Sequence, residues 1–392
     1  MARLLVPSEY ATINNAVNDA SSGDVIVVSS GTYTEDIASD SDEANLTIRA
    51  DHGAQVTVIG TLELLSGWIL RGILFIPPED TTCLYFNNPG GSAYVYDCEF
   101  DVSGEVNGQP FAATSTSTVE FRRCIFRDLN SDEAMMELVG CSLRMSSCLF
   151  KNCHSTAGSD LISAGDADLY NCTFVDVSTD GSVVETAGVI ANCIAEDCTV
   201  GDYVFSADTT VYCNVSNADG GTPYRDAGTG CTETVNRFVD KDAGNYALAV
   251  DQQGTAAYLA TSIDLNRFSF AGTPSKGCYQ FFRPRSSLQG HYIALSPVGL
   301  KVSVGTDVAV AAVSSLGVKN YTGGYDLARA LDLLVGDALG HGEVALTYEP
   351  DGRYRAQRED TSATFVFSLT TEGQVAAAMG TVSYTNVADT DA

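Results

Sequence analysis

One repeat constrains this chain more than any other feature. Cys98, Cys124, Cys148, Cys172, Cys193 and Cys213 recur at intervals of 26, 24, 24, 21 and 20 residues. Two residues after each of the first four stand Phe100, Phe126, Phe150 and Phe174. The last two copies lose the ring but keep the alternation, as Cys193-Ile194-Ala195 and Cys213-Asn214-Val215. An earlier copy without cysteine lies at Arg71-Gly72-Ile73-Leu74. Each unit alternates apolar and polar residues, then breaks at Gly, Asn, Asp or Ser. Alternation of period two marks a strand with one buried face. No helical pattern separates the units, so the crossover helices of a βαβ sheet are missing. Strands spaced this way stack as successive coils of a parallel β-helix, with inward counterparts about 4.8 Å apart. The repeated Cys and Phe then form ladders in a dry interior.

Charge narrows the partners. The 392 residues carry 50 acidic and 21 basic side chains, a net charge of -29. Such a surface repels phosphate backbones and anionic lipids, so neither nucleic acid nor membrane insertion is expected. No apolar run approaches the ~18 residues of a membrane span. At 45% apolar and 18% charged residues, the chain is a folding one. The apolar start, Leu4-Leu5-Val6, is shorter than the roughly 7–15 residues of a secretory signal. Synthesis in a cytoplasm without ordinary export is the expectation. The twelve cysteines are therefore read as small buried hydrophobes. The closest pairs, Cys148 with Cys153 and Cys193 with Cys198, are spaced too widely for a usual zinc site, and no metal is expected. Cross-links between stacked cysteines are geometrically open, but no oxidising compartment is indicated.

The start of the chain reads as a plug for the open end of a coil. Thr12 is a helix N-cap, Ile13, Ala16, Val17 and Ala20 form one apolar face, and Gly23 stops the helix. A strand Val25-Ile26-Val27-Val28 follows, closed by Ser30-Gly31. The run from Tyr10-Ala11-Thr12-Ile13 through Gly23-Asp24-Val25 to Gly31-Thr32-Tyr33-Thr34-Glu35 resembles the opening of pectate-lyase-like right-handed β-helix proteins. Phe238-Val239-Asp240, Asn245-Tyr246-Ala247-Leu248, Asp264-Leu265 and Gly277-Cys278-Tyr279 resemble their closing segment. The resemblance spans roughly residues 5–282. It implies an all-β, right-handed, single-stranded parallel β-helix over 1–285, capped by the N-terminal helix. Lyases, esterases and phage spikes share this fold, so it identifies no activity.

Past Phe282-Arg283-Pro284-Arg285 the cysteines stop. Strands are expected at Val302–Val304, Val308–Val310, Glu343–Tyr348, Arg353–Arg358 and Thr364–Leu369, with helices over 325–339 and 372–379. Residues 286–392 thus read as a small α+β domain for attachment or oligomerisation. Their pattern is similar to a module of phage virion proteins.

Catalysis finds little support. Gly340-His341-Gly342 looks like a polygalacturonase motif, but it lies outside the coil and lacks its acidic partners. Lyases of this fold pair calcium-holding carboxylates with a basic residue. Asp166, Asp168 and Asp176 are candidate acids, and Arg122, Arg123 and Lys151 candidate bases, but solvated charges are the simpler reading. Gly31 to Glu35 matches the Gly-x-Tyr-x-Glu of the fold's esterases, whose catalytic motifs are absent. His52, His154, His291 and His341 are scattered. Asp40-Ser41-Asp42-Glu43 is a candidate structural calcium site, with a solvated turn favoured. Tyr94, Tyr96, Tyr170 and Tyr212 precede ladder cysteines; Tyr96, Tyr170 and Tyr212 are the candidate glycan contacts, Tyr170 and Tyr212 as an external ladder. No catalytic residue and no cofactor is assigned.

The function expected is a structural or adhesive component of a phage or virus particle: a head fibre, capsid decoration or short tail spike. Capsid or tail proteins and host-surface glycans are its expected partners, and the resemblance to spikes implies a homotrimer. Residence in the virion follows, with an extracellular location as the alternative. The alternative function is a polysaccharide lyase or glycoside hydrolase of the same fold.

Overall fold

The computed structural model describes residues 2–248 except 40–44, 52–53, 79–80, 88–90, 102–104, 107–109, 114–117, 157, 237 and 242–244. It also describes residues 252–258, 265, 274–279, 293–294 and 320–321, and the C-terminal strands named below. The chain forms two compact units, Met1–Thr261 with Ala271–Phe281, and Ser262–Phe270 with Phe282–Ala392.

The first unit is a parallel β-helix, as the repeat predicts. Nine short strands, from Gly31–Thr34 through Ile125–Arg127 to Asn214–Ser216, form one sheet. Each pairs in parallel with the corresponding strand of the next coil. A second, 20-stranded sheet makes the other sides of the coil. Phe75, Phe100, Phe126, Phe150 and Phe174 share one column of the nine-stranded sheet, continued by Ala195 and Val215. Their rings are fully buried and stacked, with centroids 5.6, 5.2, 4.5 and 4.7 Å apart.

The corners explain why polar residues precede the ladder. Asp97, Arg123, Ser147, Asn171, Asn192 and Tyr212 each lie one residue before a ladder cysteine, with φ between 53° and 57°. A second corner repeats this conformation at Asp128, Asn152, Asp176, Asp197 and Asn217. Left-handed backbone is least costly for Gly, Asn and Asp, whose short side chains bond locally. In the earliest copy Gly72 takes the corner and buried Ile73 the cysteine position. Each ladder thiol donates to the carbonyl two residues back, as Cys148 does to Ser146 at 3.4 Å. Several also reach a carbonyl of the preceding coil, as Cys124 does to Val95 at 3.3 Å. None of the twelve cysteines is joined in a disulfide. Burial pushes the Cys153 and Cys198 thiols up to about 12, consistent with inert packing groups.

Helix α1, Ile13–Asp19, plugs the first coil and buries Ile13, Ala16 and Val17. Thr12 Oγ1 accepts from Asn15 N at 3.1 Å, so the expected N-cap is in place. Glu35 completes it: Oε1 accepts from Ile13 N at 2.9 Å and Oε2 from Asn14 N at 2.8 Å. The acid of Gly-x-Tyr-x-Glu therefore satisfies two orphan donors at a helix N-terminus, where negative charge is favoured. Glu35→Ala is expected to lower stability by about 1.5–3 kcal/mol, the worth of hydrogen bonds to a charged group. Denaturant unfolding checks this; an unchanged midpoint would leave capping to Thr12 alone.

At the other end the closing segment folds back over the outside of the nine-stranded sheet. Asn171 Nδ2 donates to Ser275 O and Cys278 N to Thr173 Oγ1, both at 2.9 Å. Asn192 Nδ2 donates to Thr255 O at 2.9 Å, and Asn236 Nδ2 to Ala195 O at 3.1 Å. This strap buries Thr173, Ile194 and Asn214, whose counterparts Glu99 and Ile125 in earlier coils stay partly exposed.

The second unit contains antiparallel strands Gly299–Val304, Asp307–Ala312 and Phe367–Thr371. Val344–Tyr348 pairs antiparallel with Tyr354–Arg358, which pairs in parallel with Ser383–Tyr384. The expected helices over 325–339 and 372–379, the 340–342 motif and the acidic turn 40–43 lie outside the described residues. So do His52, His291 and His341.

Candidate functional site

The chemistry-bearing side chains that the coil brings together lie on the outer face of the larger sheet. Strand Ser92–Tyr96 alternates Ala93 and Val95 inward with Tyr94 and Tyr96 outward. Strands Thr118–Arg122, Met136–Ser146 and Ile162–Tyr170 stack beside it in parallel. Register sets Tyr94, Glu120, Arg144 and Asp168 in one outward column and Tyr96, Arg122, Ser146 and Tyr170 in another. Coil stacking thus turns an interval of 24 or 26 residues into a neighbour contact.

The charges in the first column alternate in sign, a favourable cross-strand arrangement. Arg122 Nε donates to Glu120 Oε1, and its guanidinium lies 5.3 Å from the centroid of the Tyr96 ring. Tyr94 and Tyr96 stand 6.0 Å apart, tilted by 47°. Ser142 Oγ donates to Asp166 Oδ2 at 3.1 Å, while Asp168 Oδ1 accepts from Val189 N at 3.1 Å. Arg144 is exposed. The face therefore carries two flat rings, a guanidinium held over one of them, and carboxylates and a hydroxyl within a few coils. Rings of this kind can cover the apolar face of a sugar while the polar groups meet its hydroxyls.

The sequence-predicted residues separate on this scaffold. Tyr96 and Tyr170 share a column three coils apart. Tyr212 does not join Tyr170: the register carries Tyr170 to Ala191 and then Val211, while Tyr212 occupies the left-handed corner. The Tyr170–Tyr212 ladder is thus corrected by a one-residue offset, since Tyr170 stands two residues before its cysteine and Tyr212 one.

The acids and bases divide likewise. Asp166, Asp168 and Arg122 share the outer face described above. Asp176 and Lys151 belong to the nine-stranded side, where Asp176 Oδ1 accepts from Lys241 Nζ at 2.9 Å. Lys151 lies 5.8 Å from the Tyr246 ring of the strap. Burial disfavours the Lys241 charge, but the hydrogen-bonded Asp197 and Asp176 outweigh it and hold the amine above its ordinary value. Arg123 is buried in a corner against Asp97. His154 is held between Ser178 Oγ at 2.6 Å and Asn152 Oδ1 at 3.0 Å.

Two features escaped sequence reasoning. Glu120 and Arg144 show no motif, and only the alternation of their strands could have placed them outward beside Tyr94. Cys231 adds a seventh rung to the ladder, because Asn214 bridges in parallel to Thr232. It lies 18 residues after Cys213, close to the shortening repeat interval, and that spacing was a usable signal. Among the described residues no group of His, Cys, Asp or Glu is arranged to hold a metal ion. No helix among them is long and apolar enough to cross a membrane.

No family model matches the chain, and no curated protein matches it. Among solved structures it is similar to the pectin methylesterase of Aspergillus niger, at 15% identity over 61% of this chain and 91% of that one, with a TM-score of 0.33. It is also similar to pectate lyase Pel9A, at 9% identity over 72% and 96%, with a TM-score of 0.37. A third is ORF18 of Geobacillus virus E2, at 12% identity over 79% and 71%, with a TM-score of 0.30.

Proposed function

We propose that this chain is a structural, adhesive component of a phage or virus particle whose β-helix binds host-surface glycans on the outer face around Tyr94 and Tyr96. One observation carries the reading: outward Tyr94, Tyr96 and Arg122 form a fixed aromatic and cationic cluster on a regular, rigid solenoid. A rigid sheet presents such groups with little ordering cost on binding. Asp176, Lys151 and Arg123 are engaged in contacts away from this face, which favours binding over cleavage. Residues 286–392 are the proposed attachment or oligomerisation domain, and a homotrimer is the proposed assembly.

Titration of the full chain with purified host envelope polysaccharide, followed by calorimetry and by assay of new reducing or unsaturated sugar ends, tests the reading. Binding without cleavage is expected, and Tyr96→Ala should weaken it about tenfold, or 1.4 kcal/mol. New sugar ends that vanish in Asp168→Asn would overturn it in favour of an enzyme. The particle role is checked by peptide mass spectrometry of density-purified virions, where stoichiometric copies are expected; confinement of the chain to the cell envelope or medium would refute that role.

A further inference from the structure

We infer that Cys213 and Cys231 form an oxidisable dithiol that a small disulfide converts into a covalent staple at the end of the β-helix. Eleven of the twelve cysteines are buried, and Cys231 alone is partly exposed. It sits directly beyond Cys213 in the ladder, because Asn214 bridges in parallel to Thr232 and Thr232 N donates to Cys213 O at 2.9 Å. Facing residues on adjacent parallel strands lie about 4.8 Å apart, inside the 4.4–6.8 Å Cα span that a disulfide tolerates. Cys231 Sγ reaches Thr210 O of the preceding coil at 3.4 Å, as Cys213 Sγ reaches Ile190 O at 3.5 Å, so the two thiols occupy equivalent places on successive coils. Cys231 follows a turn closed by its own N–H to Gly228 O at 3.3 Å, so its backbone has more room to shift than an interior rung.

A buried cation lies close to the pair. Lys276, buried with the strap, donates from Nζ to Gly230 O at 3.0 Å, and to Cys213 O and Thr232 Oγ1 at 3.2 Å. Its ammonium therefore lies against the backbone at both cysteines, and a nearby cation favours a thiolate. Burial raises the Cys213 thiol, and its cysteine neighbours with the Lys276 charge hold it below its ordinary value; Cys213 and burial hold the Cys231 thiol above its own, so Cys231 attacks through its small ionised fraction.

The exchange balances with a small disulfide such as oxidised glutathione as oxidant. Cys231 Sγ, losing its proton to solvent, attacks one sulfur of the small disulfide. A mixed disulfide forms and one small thiol leaves. Cys213 Sγ, losing its own proton, then attacks Cys231 Sγ and expels the second small thiol. Two protein thiols are oxidised to one disulfide, and one small disulfide is reduced to two thiols. The interior rungs stay reduced because no oxidant reaches them. A chain made in a reducing cytoplasm would acquire this staple on meeting an oxidising medium, locking the last coil beneath the strap.

The full chain is incubated folded with oxidised glutathione, acid-quenched, then alkylated under denaturing conditions, digested and mapped by mass spectrometry. A single Cys213–Cys231 disulfide is expected, with the remaining cysteines recovered alkylated. Cys213→Ser should stall as a stable glutathione adduct on Cys231, and Cys231→Ser should leave all remaining thiols reduced. The inference is overturned if wild-type Cys231 stops at the adduct, if a different pair cross-links, or if Cys231 stays reduced. Should Cys213→Ser fail to fold, the wild-type map and Cys231→Ser still decide.

Discussion

Replacing Asp97 with alanine is expected to lower the stability of the β-helix by about 3–5 kcal/mol, the cost of breaking a buried ion pair from one side. Asp97 Oδ1 accepts from Arg123 Nε at 2.8 Å, and Oδ2 accepts from Arg123 Nη2 and Arg71 Nε, both at 3.2 Å. The Arg123 side chain is 0% exposed and that of Arg71 4%. Removing the carboxylate strips both guanidiniums of that partner where water cannot replace it. The backbone adds to the loss, because Asp97 is left-handed at φ 57° and alanine tolerates that conformation less well. Asp97→Asn, which keeps the corner and an acceptor, should fall between wild type and alanine. Arg123→Met, which removes the charge and keeps the volume, should cost less than Asp97→Ala. The lone tryptophan, Trp68, is fully buried three residues from Arg71 and reports the transition by fluorescence in denaturant. An unchanged midpoint in Asp97→Ala would show that the cluster contributes nothing to folding.

Phe150→Ala should cost a similar amount, about 3–5 kcal/mol for a buried aromatic truncated to alanine. Its ring lies between Phe126 at 4.5 Å and Phe174 at 4.7 Å, with interplanar angles of 8° and 9°. Deleting it opens a void between two flat rings that cannot close without moving two coils. The molecule itself accommodates alanine in this column only with compensation. At Ala195 the ladder ends, and Phe205 reaches in from the larger sheet, edge-on to Phe174 at 5.7 Å. Among the described residues no ring from the larger sheet is stacked or edge-on to Phe150, so Phe150→Leu should recover part of the loss and Phe150→Ala little. Thermal or denaturant midpoints of the two variants check this. Equal stability of Phe150→Ala and wild type would show that the stack is not a packed core.

Much of the solenoid was legible in the chain because its rules are local. Alternation around Cys98, Cys124 and Cys148 identified strands, and the breaks at Gly, Asn, Asp or Ser bounded them. Thr12 and the Ile13, Ala16, Val17 face announced the plug. The outer face was legible only in part. Tyr96 and Tyr170 stand at equal distance before their cysteines and share a column, whereas Tyr212, one residue closer, turned the corner. Columns depend on the length of every intervening loop, and the intervals here vary from 26 to 20 residues.

By itself the sequence determined the repeating coil, because period-two alternation, small or flat inward side chains and left-handed corner residues are properties of neighbours along the chain. Only the tertiary structure decided which outward residues meet and what the strap covers. Asn171 bonds Ser275 across 104 positions and Thr173 meets Cys278 across 105. Such partners are chosen by the accumulated rise and rotation of the stacked coils, a sum over the whole fold that no single segment encodes.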